Sequence, residues 1–273
     1  MQIAGMLAAA RSLGVDRLDV QLLLSHHLGQ PRSWLLAHDG DTLPDAIATL
    51  CLAQLQRRAA GEPLAYLLGE WQFRGLGLQV SPAVLIPRPE TELLVDWALE
   101  CLTCAPLASV VDLGTGSGAI ALALAAAVPG LQVTASDASG EAVAMARSNA
   151  SRLQLPVRVA QGDWWEAVAG QRFGLAVSNP PYVAAGDAHL DALRHEPRMA
   201  LTPGGDSMCA LRRIIDGAPA HLLPGAWLLL EHGHDQAEAV RALLAARGFS
   251  EAQTRRDLAG LPRCSGGCWT PSV

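Results

Sequence analysis

Ser109-Val-Val-Asp-Leu-Gly-Thr-Gly-Ser-Gly-Ala-Ile120 opens as a short apolar run, passes through three alternating glycines and continues into an alanine-rich stretch. Bounded by turn residues, Val110–Leu113 reads as a buried strand and the segment from Ala119 as the helix that follows it. Gly114, Gly116 and Gly118, with Thr115 and Ser117 between them, permit a tight turn and let a ligand meet the backbone without a Cβ in the way. A ligand therefore belongs at this strand-to-helix junction. The glycines do not choose it, since such a first turn serves dinucleotides and S-adenosylmethionine alike.

Downstream, strand patterns recur at Gln132–Ala135, Val157–Ala160, Leu175–Ser178 and Trp227–Leu230, and again near Gly248–Thr254 and Cys264–Trp269, with helical patterns between most of them. The alternation predicts an α/β fold, an open and mainly parallel sheet with helices on both faces. One edge of that sheet collects the polar residues. Asp137 closes the second strand, where a carboxylate can accept both hydroxyls of a ribose. The third ends in Gly162-Asp-Trp-Trp165. There Asp163 can accept from an adenine amino group and Trp164 can pack on the adenine plane, while one tryptophan of the pair serves as a hydrophobic anchor.

The fourth strand empties into Ser178-Asn-Pro-Pro-Tyr182. Pro180 and Pro181 lack an N–H and have φ fixed, so the carbonyls of Asn179 and Pro180 stay free to accept hydrogen bonds. With the side-chain oxygen of Asn179 and the flat face of Tyr182 they form an acceptor-lined slot for a planar group carrying NH2, a carboxamide or an amino-substituted base. A dehydrogenase would need a proton relay beside its nicotinamide, and no Tyr/Lys or His/Asp pairing supplies one. A methyltransferase needs only a nucleophile aligned with the methyl of a sulfonium. The combined reading is amino-group methylation, with Asn179, Pro180 and Tyr182 as the catalytic set and Asn179, Pro180, Pro181 and Tyr182 as the substrate slot.

Upstream, residues 1–68 read as a small helical bundle, in which Gly14 ends the first helix, Asp16 caps the second, Pro31 opens a third and Asp41–Asp45 lead into a longer fourth. The adjacent His26 and His27 point to different helix faces and read as surface residues. Residues 69–86 form a linker that begins as a hairpin, with alternation in Trp71–Phe73 and Leu76–Val80 around Gly75, and residues 87–273 form the catalytic domain. Between them Leu85-Ile-Pro-Arg-Pro-Glu-Thr-Glu92 is stiffened by its prolines and runs into a helix. Glu90 and Glu92 complement that helix's N-terminal dipole, while Arg88 either closes the cofactor pocket or serves the domain junction.

Half of the 273 residues are hydrophobic, the formal net charge is −6 and the estimated pI is 5.7. An acidic chain without a basic target-reading domain is not expected to bind nucleic acid directly. The start of the chain lacks the basic region of a secretory signal, and Ala119–Val128 is too short to span a bilayer, so a soluble cytoplasmic protein without membrane association is expected. A zinc site would need more than the separate pairs Cys101/Cys104 and Cys264/Cys268; reduced thiols and no metal are expected.

Taken together, Leu85–Glu92, Asp112–Ile120, Ser136-Asp137, Gly162–Trp164, Ser178–Tyr182, His195-Glu-Pro-Arg-Met-Ala-Leu201 and Asp257-Leu-Ala-Gly260 resemble, in their joint order, the release factor glutamine methyltransferases known as PrmC or HemK. The resemblance implies a class I S-adenosylmethionine-dependent methyltransferase domain with a seven-stranded sheet, behind a helical N-terminal domain that helps bind the substrate. It implies S-adenosylmethionine as cofactor, held by Gly114–Gly118 at its methionine end, Asp137 at the ribose, and Trp164 with Asp163 at the adenine, with Asn179 touching both cofactor and substrate. It also implies methylation of the amide nitrogen of the glutamine in the Gly-Gly-Gln loop of class-1 peptide-chain release factors. Where the family often has Gly-Gly-Asp-Gly-Leu, this chain has Gly204-Gly-Asp-Ser-Met208. A glutamine methyltransferase for a ribosomal protein, a DNA adenine methyltransferase and a non-catalytic release-factor adaptor are the competing functions.

Overall fold

The computed structural model describes residues 1–104 and 109–271. The chain divides into two compact units, Met1–Glu70 and Trp71–Val273.

The first unit contains α1 (Ile3–Ser12), α2 (Arg17–Leu28), α3 (Arg32–Ala37), α4 (Asp45–Ala59) and α5 (Leu64–Leu68). Apolar residues three and four apart on these helices close a core around Ile3, Met6, Leu23, Leu24, Leu35 and Leu55. Asp16 caps α2 by accepting the Leu18 N–H at 2.7 Å, and Gly29 ends it in the left-handed region at φ 63°. Pro44, without a side-chain cap, occupies the position before α4, so the acidic help for that helix comes from Asp45 inside its first turn. Of the pair His26 and His27, His26 alone is exposed. His27 is half-buried and sits 2.7 Å from Gln54 Oε1, and Gln54 Nε2 donates to the Leu67 carbonyl, so this histidine joins α2 to α4.

From the last residue of the first unit the chain enters a hairpin of β1 (Glu70–Phe73) and β2 (Leu76–Gln79), turned by Arg74 and Gly75, both with positive φ. A single 3-10 turn, Pro89–Thr91, leads into α6 (Glu92–Cys104). The side chain of Cys104 lies outside the described residues, and with it the Cys101/Cys104 pair. Then follow β3 (Ser109–Leu113), α7 (Ala119–Ala127), β4 (Gln132–Asp137), α8 (Gly140–Leu153), β5 (Val157–Gln161) and β6 (Phe173–Ser178). After the short α9 (His189–Ala192) and α10 (Arg198–Leu201) come α11 (Cys209–His221), β7 (Leu222–Glu231), α12 (Ala237–Ala246), β8 (Phe249–Arg256) and β9 (Pro262–Trp269).

The seven strands lie in the order β5-β4-β3-β6-β7-β9-β8, parallel except for β9, which runs antiparallel to both neighbours. Period two sorts the side chains between two cores. Val110, Leu175, Val177 and Leu229 pack under α6 and α7, whereas Val111, Ala176, Leu228 and Leu230 pack under α11 and α12. The strand order reverses between β3 and β6, which opens a crevice at their C-terminal ends, where open α/β sheets bind ligands. The loops after β3, β4, β5 and β6, which carry the predicted site residues, all converge there.

Candidate active site

The crevice is a cleft with an empty volume of about 940 Å³, built from residues between Ala83 and Ala200. Of the predicted residues, Gly114, Thr115, Gly116, Ser117, Asp137, Asp163, Trp164, Asn179 and Pro181 line it. Gly118 stands behind the wall as the residue before α7, with φ 87°; a Cβ there would meet Leu122 Cδ1 at 3.0 Å, so it serves the close packing of the helix. Gly116 differs. At φ 56° its missing side chain would point into open space, so the backbone is bare toward the cleft.

The glycine loop is tied down by the next strand. Ser136 O accepts the Gly114 and Thr115 N–H groups at 2.8 and 2.9 Å, and Asp137 Oδ2 accepts from Gly116 N at 2.9 Å while its Oδ1 accepts from Ser139 N at 2.9 Å. Each Asp137 oxygen keeps a lone pair for a hydroxyl in the cleft, and burial raises the pKa of the group against these hydrogen bonds. Trp164 turns at φ 48°, an uncommon conformation for a bulky residue, which aims its ring at Gly114: Cζ3 would stand 3.2 Å from a Cβ on that glycine. Trp165 is the anchor of the pair. It is buried, donates to the Ile214 carbonyl at 2.8 Å and stacks on His221 at 4.9 Å. Asp163 Oδ2 accepts from Arg213 Nη2 at 2.7 Å, and its Oδ1 is left for a ligand. Bare backbone, a two-oxygen acceptor and an aromatic wall fit the methionine, ribose and adenine parts of S-adenosylmethionine.

Asn179 reaches the cleft from the end of β6, and its Nδ2 donates to Thr91 Oγ1 at 3.1 Å. Pro180 is buried, and Tyr182 turns its hydroxyl away from the cleft wall to donate to Glu231 Oε1 at 3.2 Å. The Tyr182 carbonyl accepts from Gln236 Nε2 at 3.2 Å, which fixes the backbone after the two prolines. Arg88 lines the cleft and pairs with the buried Glu196, whose second oxygen accepts the Ile86 N–H at 3.1 Å; one ion pair thus joins the 84–88 and 195–200 segments at the mouth. Glu90 is exposed, and Glu92 accepts from Arg74 N at 3.4 Å.

Several residues with a part in this architecture escape a reading of the sequence. Asp112 is fully buried beneath the loop; its Oδ2 accepts from Thr115 Oγ1 at 2.6 Å and Ala121 N at 3.2 Å, while Oδ1 has no partner. Burial pushes its carboxyl up to about 7, against the hydrogen bonds from Thr115 and Ala121. Asn149, also fully buried, accepts from Gln79 N and donates to the carbonyls of Gln79 and Ser117, stapling β2 to the glycine loop. Nothing in the sequence around Asn149 signals these partners. Thr91 stood inside a segment read for its charges. Glu231, at the end of β7, carried no signal beyond being a charge after an apolar run.

His232 is buried and bonds Ser265 Oγ at 2.7 Å, a structural place for that histidine. Among the described residues no group of three or more His, Cys, Asp and Glu is arranged to hold a metal ion, and no helix is long and apolar enough to cross a membrane.

Residues 2–69 match the family model described as PrmC N-terminal domain, and residues 91–222 match that of the methyltransferase small domain. A release factor glutamine methyltransferase of Bordetella pertussis is 52% identical over 257 residues, covering 93% of this chain and 95% of the relative. One from Xylella fastidiosa is 48% identical over 264 residues, with 96% of each covered. Among solved structures, the Thermus thermophilus 16S rRNA N2 G1207 methyltransferase in complex with AdoMet and guanosine superposes with a TM-score of 0.54 at 22% identity, over 73% of this chain and 49% of that one, a likeness of fold. The identity to the two relatives runs through both units and over nearly their whole length, and on that ground the chain belongs to the release factor glutamine methyltransferase family.

Proposed function

We propose that this protein transfers a methyl group from S-adenosylmethionine to the side-chain amide nitrogen of the glutamine in the Gly-Gly-Gln loop of class-1 peptide-chain release factors. The observation that carries the reading is the position of Asn179: it shares one cleft with Gly116 and Asp137, and its NH2 is committed to Thr91, which leaves Oδ1 for a ligand.

When bound, S-adenosylmethionine supplies an electrophilic methyl on a positively charged sulfur. Gly114 to Ser117, Asp137, Asp163 and Trp164, which line the cleft, would hold it. An amide nitrogen is a poor nucleophile because its lone pair is delocalised into the carbonyl. Asn179 Oδ1 and the Pro180 carbonyl each accept one hydrogen of the substrate NH2, and this orients the nitrogen toward the methyl. Pro181 borders the slot, and Tyr182 holds its shape. As positive charge grows on the nitrogen it meets two fixed negative dipoles, so orientation and preorganised electrostatics lower the barrier. No strong base is needed beforehand, because the methylated cationic amide is itself a strong acid and loses its proton afterwards.

Incubation with labelled S-adenosylmethionine and, separately, a class-1 release factor, its loop Gln→Ala variant, a ribosomal protein and DNA tests the assignment. Label is expected on the release factor alone and absent from the variant; label on DNA or on the ribosomal protein instead would overturn it.

A further inference from the structure

After β6 the chain leaves the sheet and is pinned again at Leu201, whose carbonyl accepts the Val183 N–H at 2.9 Å. The segment between them forms a strap. Residues 184–189 of it are exposed, whereas Pro197, Met199 and Ala200 line the same cleft as Gly116 and Asp137. Its only helices, α9 and α10, have four residues each, too short to be stable by themselves. A second part of the cleft wall comes from the segment Ala83–Arg88, in which Pro87 and the following Pro89 stiffen the backbone on either side of Arg88.

Glu196 joins the two. Its side chain is 3% exposed, a depth at which an unmatched carboxylate is costly. Both oxygens are matched: Oε1 accepts from Arg88 Nη2, and Oε2 accepts the Ile86 N–H at 3.1 Å. A guanidinium and a backbone N–H can only donate, so a carboxylate is the group that satisfies both at once. The deformable strap is thereby tied to the stiff segment through a residue immediately before the stretch that lines the cleft.

We propose that Glu196 is a positioning residue for S-adenosylmethionine: by tying the strap to the 83–88 segment, it holds Pro197, Met199 and Ala200 in place as one wall of the cofactor cleft. Without the tie the cleft is complete in only a fraction of the molecules, and apparent affinity falls by that fraction. The inference rests on this cleft being the cofactor's and is independent of which substrate is methylated.

Two measurements on the full-length protein test it, and neither involves a release factor. Glu196→Gln, Arg88→Met and the double variant are titrated with S-adenosylmethionine by calorimetry. The cofactor-free proteins are also digested briefly with trypsin, and cleavage is followed at Arg194 and Arg198, both exposed on the strap. Each single variant is expected to bind about tenfold more weakly and to be cut in the strap about tenfold faster, as a segment released from its tie would be. The double variant should lose no more than about tenfold, because the two substitutions break one contact. Arg88→Lys keeps a charge for one Glu196 oxygen and should bind within about threefold of wild type. Weak binding by Arg88→Met beside wild-type binding by Glu196→Gln would mean that Arg88 meets the ligand itself, and would overturn the inference. So would a double variant about a hundredfold weaker, or weak binding with strap cleavage at the wild-type rate. Should Arg88→Met, which strands a buried carboxylate, not fold, Glu196→Gln and the double variant decide the matter. A wild-type protein that bound no S-adenosylmethionine would overturn the cofactor assignment itself, a result distinct from any pattern among the variants.

Discussion

Single residues carry the chemistry, and their environments make measurable predictions. Asn179→Ala removes an acceptor that matters most as charge develops, so turnover should fall about 10²- to 10³-fold while S-adenosylmethionine affinity changes little; single-turnover transfer and cofactor titration read the two quantities separately. Burial pushes the carboxyls of Asp112 and Glu231 up to about 7. The folded state therefore binds those protons more tightly than the unfolded chain, and stability is lost as pH rises through 7. The melting temperature should climb as pH falls from about 8.5 to about 6.5; below that, the buried His232, whose pKa burial lowers, works in the opposite sense. Asp112→Asn should flatten the climb by roughly half in calorimetric scans. The cleft-lining acceptors were legible in the sequence because each stands at the end of an apolar strand, Asp137 after β4 and Asn179 after β6. Thr91 was not, because its meaning lies in a partner 88 positions away, and a threonine in a charged segment gives no sign of that partner.

At the scale of the element, the loop between β3 and α7 separates the needs of folding from those of binding. Gly118→Ala would place a side chain at φ 87° and 3.0 Å from Leu122, a cost of about 1–3 kcal/mol that urea unfolding should register without the cofactor. Gly116→Ala meets no protein atom within 4 Å, so it should cost only about 1 kcal/mol of stability and act chiefly on cofactor affinity, about tenfold or more by equilibrium titration. The elements themselves were legible. Short apolar runs alternating with helical patterns marked all seven strands of the sheet, since a parallel strand covered on both faces reads as a near-continuous apolar segment. Asn149 and the ion pair of Arg88 with Glu196 were not, for they join segments 70 and 108 positions apart. A helix face and a proline-stiffened segment each read correctly alone, yet neither names what it will touch.

On the scale of the whole molecule, the cleft is assembled entirely from residues 83–200, all within the second compact unit, while the first unit closes a core of its own. A chain lacking residues 1–70 should accordingly bind S-adenosylmethionine within about twofold of the full protein by calorimetry, yet methylate a release factor at least about tenfold more slowly if the helical unit grips the substrate. The order of strands has a further consequence. The sheet ends at β5 on one side and β8 on the other. At the first edge Pro156 precedes the strand and Arg158 is exposed within it; at the second, the register slips between Ser250 and Gln253 around a positive-φ Glu251, and Arg255 and Arg256 follow. Charges and a bulge make both margins poor templates for a strand from a neighbouring chain. A half-folded copy emerging beside another is thus denied the easiest route to aggregation, and the parallel core gains time to form its long-range pairs.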